Sequence, residues 1–253
     1  MHYNWEYGDL ASRTYELDKP VGRSLNGDIE FYTQQLANVT GEILEPAVGT
    51  GRILIPLLQQ GLQVRGYDSS ESMLAICHHN LSTAGLKADV TTANMETYLQ
   101  PETFAAIIVP TGSIILLRDR STVTDALRNM HDSLRPGGQL FIDVPPGRLT
   151  SAPMPMRHFW DGENELLTLQ NMHTDVDEVA QKTTSWLRYE LWRDGKLADT
   201  QLQIGGMLYF GVAEFTQLLH DSGFTTVDTF GDYDPTSSPP APSSQIWTFL
   251  ATK

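Results

Sequence analysis

Residues 43–61 read Ile-Leu-Glu-Pro-Ala-Val-Gly-Thr-Gly-Arg-Ile-Leu-Ile-Pro-Leu-Leu-Gln-Gln-Gly. The stretch opens as an apolar strand and sets a carboxylate, Glu45, inside it. It then narrows to Ala47, Gly49 and Gly51 before turning helix-like. An acid among apolar neighbours is costly to bury without a partner. Small residues at alternate positions strip the chain of Cβ atoms where a ligand could lie against the backbone. A helix that begins after such a turn presents unpaired N–H groups and the positive end of its dipole. The helical part is expected over roughly 51–60, closed by Gly61, with Pro56 kinking it by removing one helix hydrogen bond.

Working outward, residues 63–68 form a second short buried strand ending at Asp68, 17 positions after Gly51. Ser69 or Ser70 can cap the helix that follows, whose Met73, Leu74, Cys77 and Leu81 share one face. Strands at 88–93, 104–110 and 139–144 alternate with a helix in which Val123, Leu127, Met130 and Leu134 recur at steps of four, three and four. Pro136-Gly137-Gly138 stops that helix. Strands alternating with helices about every 30 residues predict a parallel sheet with helices on both faces.

The rhythm breaks after Pro145-Pro146. Residues 163–209 hold strand-like stretches without helical periods, and Asp194-Gly195 between two of them signals a hairpin. This region is read as an antiparallel insertion spanning about 150–209. A helix at 211–224 and strands near 225–231 and 244–252 close the chain, the strands joined by a Pro/Ser-rich loop at 234–244.

Bulk properties narrow the function classes. The chain has 253 residues, 40% of them hydrophobic, enough for one large core. Its formal net charge of −14 argues against nucleic acid and anionic membranes as partners. Cys77 is the lone cysteine, so there is neither an intrachain disulfide nor a cysteine-rich zinc site. The N-terminus shows no secretion signal and no run reaches the ~18 apolar residues of a membrane span, which suits a cytoplasmic protein.

Ligands of open α/β sheets bind outside the carboxyl ends of the strands, and an acid at the second strand's tip can accept from both ribose hydroxyls. A nucleoside-bearing cofactor is the expected ligand. A dinucleotide wants a third glycine, where this chain has Leu54, and Glu45 would face its pyrophosphate. S-adenosylmethionine has no phosphate and carries a cationic sulfonium, so Glu45-x-Ala47-x-Gly49-x-Gly51 suits it better. A nicotinamide-dependent oxidoreductase and a non-catalytic nucleoside-binding module remain the alternatives.

The motifs "LEPAVGTGR", "GYDSSESML", "TTANMETY", "VPTGS" and "LRPGGQLFIDV", in this order and spacing, resemble those of the class I S-adenosylmethionine-dependent methyltransferases, small-molecule branch. The resemblance covers about residues 15–144 and the closing region. It implies a doubly wound, mostly parallel, seven-stranded Rossmann-like sheet in a single methyltransferase domain over 1–253, with an N-terminal lid segment at 1–40. It assigns Asp68 to the ribose hydroxyls and Ser69 and Met73 to the adenosine pocket. Asn94, where the family usually has Asp, would accept from the adenine amino group beside Met95. Pro110 lies where the family contacts the methionine portion. "YELDKPVGR" resembles the segment folding over the cofactor, making Tyr15 part of a lid and Arg23 a partner for the cofactor's carboxylate. Ala47 stands where many members have Gly.

Each assignment has a plainer counterpart. Asp68 could cap a helix, Glu45 could pair with a buried cation, Arg23 could form a surface salt bridge, and Met73 and Met95 could be core. The acceptor is expected to be a small molecule whose N, O or C atom attacks the donor's methyl group in line. His158, in the insertion, is the candidate for proton handling if the accepting atom carries a proton. Asp143 is more readily a structural hydrogen-bond acceptor than a base or a metal ligand.

Overall fold

The computed structural model describes residues 7–147 and 154–253. The first six residues of the N-terminal segment and the start of the insertion lie outside the described residues. Two helices come first, α1 (Asp9–Asp18) and α2 (Asp28–Leu36). The alternating body follows as β1 (Ile43–Pro46), α3 (Leu54–Gln59), β2 (Val64–Asp68), α4 (Glu71–Thr83), β3 (Val90–Thr92) and β4 (Phe104–Val109). A 3-10 stretch (Pro110–Leu116), α5 (Arg120–Ser133) and β5 (Leu134–Val144) complete it. Four strands, β6 (Arg157–Asp161), β7 (Glu165–Asp177), β8 (Lys182–Arg193) and β9 (Lys196–Leu208), precede α6 (Val212–Asp221), β10 (Thr226–Gly231) and β11 (Trp247–Thr252).

The main sheet has seven strands in the order β10-β11-β5-β4-β1-β2-β3. Strands β1 to β5 pair in parallel, and β11 runs antiparallel to both neighbours. This is the doubly wound, mostly parallel architecture expected from the alternating runs. Helices cover both faces because the central strands are apolar on both sides; β4 is buried at all six positions. Val123, Leu127 and Met130 of α5 pack with Phe215 and Leu219 of α6 in one cluster. Phe31, Leu54, Leu74, Cys77 and Leu81 belong to the opposite one. The order reverses between β1 and β4, which places a crevice at their carboxyl ends.

Strands β6 to β9 form a separate antiparallel sheet between β5 and α6 in the chain. Asp194 (φ 49°) and Gly195 (φ 71°) make the left-handed pair that a tight β8–β9 hairpin requires. One face of this sheet packs on α1 through Leu167, Tyr189 and Leu191 against Leu10 and Ala11. Arg13 binds Asp161 and Glu165, and Arg157 binds Asp18, fixing the same contact at its edge.

Pro56 behaves differently from the expected kink. It falls in the first turn of α3, where a missing N–H costs little. The Arg52 carbonyl that a non-proline residue 56 would have bonded instead accepts from the Gly22 N–H at 3.3 Å. The proline thus leaves a carbonyl for the N-terminal segment to dock on.

Candidate active site

The glycine turn is built by three backbone hydrogen bonds. Val48 N–H donates to the Tyr67 carbonyl, Gly51 N–H to that of Val48, and Ile55 N–H to that of Gly51. Gly49 (φ 57°) and Gly51 (φ 85°) are both left-handed, yet they serve different neighbours. A Cβ on Gly49 would meet only the Ala47 carbonyl oxygen at 3.9 Å, so that face is open. A Cβ on Gly51 would sit 3.0 Å from Cys77 Sγ and 3.2 Å from Ile55 Cδ1. Gly51 therefore makes room for α4 and α3, not for a ligand. Ala47 (φ 52°) holds a left-handed conformation without being glycine.

Asp68, at the tip of β2, is 9% exposed. Its Oδ2 accepts from the Gly49 N–H and its Oδ1 from the Ser70 N–H, both at 2.9 Å. Ser70 then caps α4, its Oγ accepting from the Met73 N–H at 3.1 Å. Asp68 thus braces both the glycine turn and the start of α4 while facing the crevice. An ionised carboxylate accepts about four hydrogen bonds, so bracing is compatible with holding ligand hydroxyls.

A crevice of about 520 Å³ opens here. The turn contributes Ala47 and Gly49; the segment around the β2 tip contributes Asp68, Ser69 and Met73. Asn94 and Met95 line it beyond β3, and Tyr15 approaches from α1. These eight expected residues come together. Asp143 does not line it; that acid is fully buried and accepts hydrogen bonds from Thr111, Tyr233 and Thr248.

Five expected residues lie elsewhere. Gly51 packs as described. Pro110 is buried at the start of the 3-10 stretch, behind Thr111, Gly112 and Ser113, which do line the crevice. Arg23 is exposed, and its Nη1 donates to the Asp18 carbonyl at 2.5 Å. The cation of that segment that reaches the crevice is Lys19, whose ammonium lies 4.7 Å from the Tyr15 ring centroid. Burial lowers the Lys19 pKa, against the pull of Asp18.

Glu45 lies beneath the turn, 4% exposed, with its Oε2 in no hydrogen bond among the described residues. Burial pushes its carboxyl up to about 8, opposed by the charge of Arg52. Arg52 does not form the ion pair with it. Its Nη2 bonds Asp28 Oδ2 at 2.6 Å and its Nη1 bonds the Arg23 carbonyl at 2.8 Å.

His158 is the fifth. On β6, Arg157, Phe159 and Asp161 point toward α1, so His158 and Trp160 alternate onto the opposite, exposed face. His158 does not line the crevice, so nothing in this geometry brings its imidazole to a reacting atom. Tyr7, Arg118, Asp119 and Met207 line the crevice without having been singled out from sequence. Met207 comes from β9, which made it invisible to motif reading. Asp119 was legible as the N-cap preceding Ser121 and Thr122.

Residues 43–138 match the family model described as a methyltransferase domain. The chain is 24% identical over 213 residues to the putative methyltransferase YqeM of Bacillus subtilis, covering 84% of each. Its fold is similar to that of an S-adenosylmethionine-dependent methyltransferase from Clostridium acetobutylicum (TM-score 0.75, 14% identity, 95% and 96% of the two chains). It is also similar to the S-adenosylmethionine-bound structure of CalS10, an amino pentose methyltransferase from Micromonospora echinaspora (TM-score 0.69, 17% identity, 100% and 99%). Leu54, where a dinucleotide fingerprint would place its third glycine, is fully buried core. The open Gly49 face beside Asp68 leaves room for a ligand to lie against the turn. Residues 43–138 thus match a methyltransferase domain, set on a fold shared with S-adenosylmethionine-dependent methyltransferases.

Proposed function

We propose that the chain is a class I S-adenosylmethionine-dependent methyltransferase, with S-adenosylmethionine as its cofactor, and that it methylates a small polar acceptor bearing hydroxyl or amino groups by in-line transfer. The observation that carries the reading is the make-up of the crevice beyond β1. Thr111, Ser113, Asp119 and Thr122 offer hydrogen-bonding groups there, while Leu116 and Met207 offer apolar walls. Such a wall suits a ring with polar substituents. The likeness to an amino pentose methyltransferase points the same way. The net charge of −14 disfavours a nucleic-acid acceptor.

The sulfonium supplies an activated methyl group, so the chain's task is binding and alignment, which can contribute roughly 7–11 kcal/mol. Asp68 would hold the ribose hydroxyls, Ser69 and Met73 the adenosine, and Asn94 and Met95 the adenine. Tyr15 closes over them from α1, and Lys19 replaces Arg23 as the cation offered to the cofactor's carboxylate. Glu45 lies under the turn with its carboxyl raised to about 8 by burial, and a bound sulfonium would favour its ionised form. Asp119 is a poor base, because hydrogen bonds from Ser121 and Thr122 hold its carboxyl down at about 2. Its Oδ1 takes three of those bonds, which fixes the carboxylate in place as a hydrogen-bond acceptor at the crevice wall.

The test is a panel of amino sugars, polyols and small amines incubated with S-adenosylmethionine, read as release of S-adenosylhomocysteine. Turnover confined to small acceptors with amino or hydroxyl groups supports the reading. Turnover only with nucleic acid or protein, or NAD binding more tightly than S-adenosylhomocysteine, defeats it.

A further inference from the structure

The crevice has two halves. The strand order puts β2 and β3, with Asp68 and Asn94, on one side of β1, and β4 with the 3-10 stretch on the other. A ligand whose nucleoside lies on the β2 side must send the rest of itself toward Thr111, Gly112 and Ser113. That wall has an unusual backbone. Thr111 (φ 55°, ψ 20°) and Gly112 (φ 81°, ψ 24°) are both left-handed inside a stretch otherwise wound as a 3-10 helix. Thr111 is a β-branched residue, for which this conformation is disfavoured, so something must hold it there. A Cβ on Gly112 would lie 2.5 Å from Pro145 Cδ, so Pro145 limits movement from behind.

The hold on Thr111 comes from Asp143. This residue is 0% exposed on β5, the strand next to β4. Its Oδ2 accepts from the Thr111 backbone N–H at 2.8 Å and from the Tyr233 hydroxyl at 2.8 Å. Its Oδ1 accepts from the hydroxyl of Thr248 at 2.8 Å, its cross-strand partner on β11. The Tyr32 hydroxyl lies near the same carboxylate without a hydrogen bond of good geometry. Three donors from three parts of the chain converge on one buried acid, an arrangement that no apolar side chain can satisfy and that a charged acceptor holds more strongly than a neutral one.

We propose that Asp143 is a positioning residue for the non-nucleoside half of the ligand: its carboxylate fixes the left-handed Thr111–Gly112 turn, and Tyr233 makes the loop after β10 part of that hold. The loop is itself braced. Asp232 Oδ1 accepts from the Gln245 N–H at 2.6 Å and the Ile246 N–H at 3.3 Å, which ties the two ends of the segment together beside Tyr233. The chain between β10 and β11 thereby reaches the crevice through a single hydroxyl, although it does not line it.

Asp143→Asn keeps the shape but replaces the charged acceptor with a neutral amide, whose oxygen holds the Thr111 N–H more weakly and whose NH₂ is met only if a hydroxyl turns from donor to acceptor. Tyr233→Phe removes one donor and leaves the carboxylate. Calorimetry with S-adenosylhomocysteine and, separately, adenosine reads the two halves of the crevice, with thermal unfolding recorded for each protein. Asp143→Asn is expected to weaken S-adenosylhomocysteine tenfold or more and adenosine by less than threefold. Tyr233→Phe is expected to weaken S-adenosylhomocysteine three- to tenfold with adenosine unchanged. Parallel losses for both ligands, or S-adenosylhomocysteine affinity within twofold of wild type in either variant, overturn the proposal. Should Asp143→Asn not fold, Tyr233→Phe decides by the same criteria. A wild-type protein that bound neither ligand would instead sink the cofactor site itself.

Discussion

The Gly49 N–H donates to Asp68 Oδ2 at 2.9 Å, so the acid at the tip of β2 shapes the turn at the tip of β1. One side chain therefore sets both the wall that faces the nucleoside and the group that would grip its sugar. Asp68→Asn removes the charge and turns a donor toward one of its present donors. Hydrogen bonds to a charged group contribute about 1.5–3 kcal/mol, which is roughly ten- to hundredfold in affinity. S-adenosylhomocysteine titrations should show a loss of that size. A change below threefold would mean that Asp68 only braces the turn.

The two glycines of the turn should separate into a binding position and a folding position. Gly49→Ala meets open space, so its stability loss is expected near 1 kcal/mol from the left-handed backbone alone, while the new methyl faces the ligand. Gly51→Ala adds a contact at 3.0 Å with Cys77 Sγ to the same strain and should cost roughly 2–4 kcal/mol. Urea midpoints and S-adenosylhomocysteine affinities measured on both variants test this. Adding Cys77→Ala to Gly51→Ala should recover part of the lost stability and none of that lost by Gly49→Ala. Equal effects of the two glycine variants on affinity would contradict the division.

The α/β body was legible because its strands are buried on both faces and so read as apolar runs, such as Phe104–Val109. The β8–β9 hairpin was legible through Asp194-Gly195, since few other residues adopt its turn. What escaped depended on tertiary partners. Strand β6 shows no strong strand signal, and which of its faces meets α1 is decided by Arg13 and Asp18 more than 130 residues away. That alternation turns His158 to the exposed face, away from the crevice lining. Among the cations Lys19, Arg23 and Arg52, nothing local distinguishes the one that reaches the crevice. Arg52 is drawn off by Asp28, and Arg23 by the Asp18 carbonyl. Asp143 was legible as a structural hydrogen-bond acceptor, but its donors were not, because they come from residues 111, 233 and 248.

His158→Ala should then be silent at the active site. The imidazole is exposed on the face of β6 turned away from α1, and its strand partner Thr168 keeps the ladder through the backbone. Surface substitutions of this kind usually change stability by less than about 0.5 kcal/mol. Turnover with any acceptor found in the panel of amino sugars, polyols and small amines, followed from pH 6 to 9, should match wild type in both rate and profile. Loss of an ionisation near neutrality would restore His158 as a proton-handling group.

Glu45 gives the protein a pH dependence opposite to that of an ordinary paired carboxylate. Burial raises its pKa from 4.5 to about 8, with Asp28 and Asp68 adding to the rise and Arg52 opposing it. The native state therefore binds this proton more tightly than the unfolded chain does. The associated stability is fully present below about pH 4.5 and is lost as pH climbs toward 8, by up to about 1.4 kcal/mol per pH unit between them. Glu45→Gln cannot ionise and escapes that loss. The difference in unfolding temperature, variant minus wild type, should grow steadily from pH 5 to pH 8 and level off above it. Asp143, raised to about 6 chiefly by burial, is common to both proteins and cancels in the difference. Saturating S-adenosylmethionine should shrink that difference at pH 8, because the cofactor's positive charge favours the ionised form of Glu45 beneath the turn. A difference that stays flat across this range would mean that Glu45 is ionised in the folded protein throughout, with Arg52 compensating its burial in full.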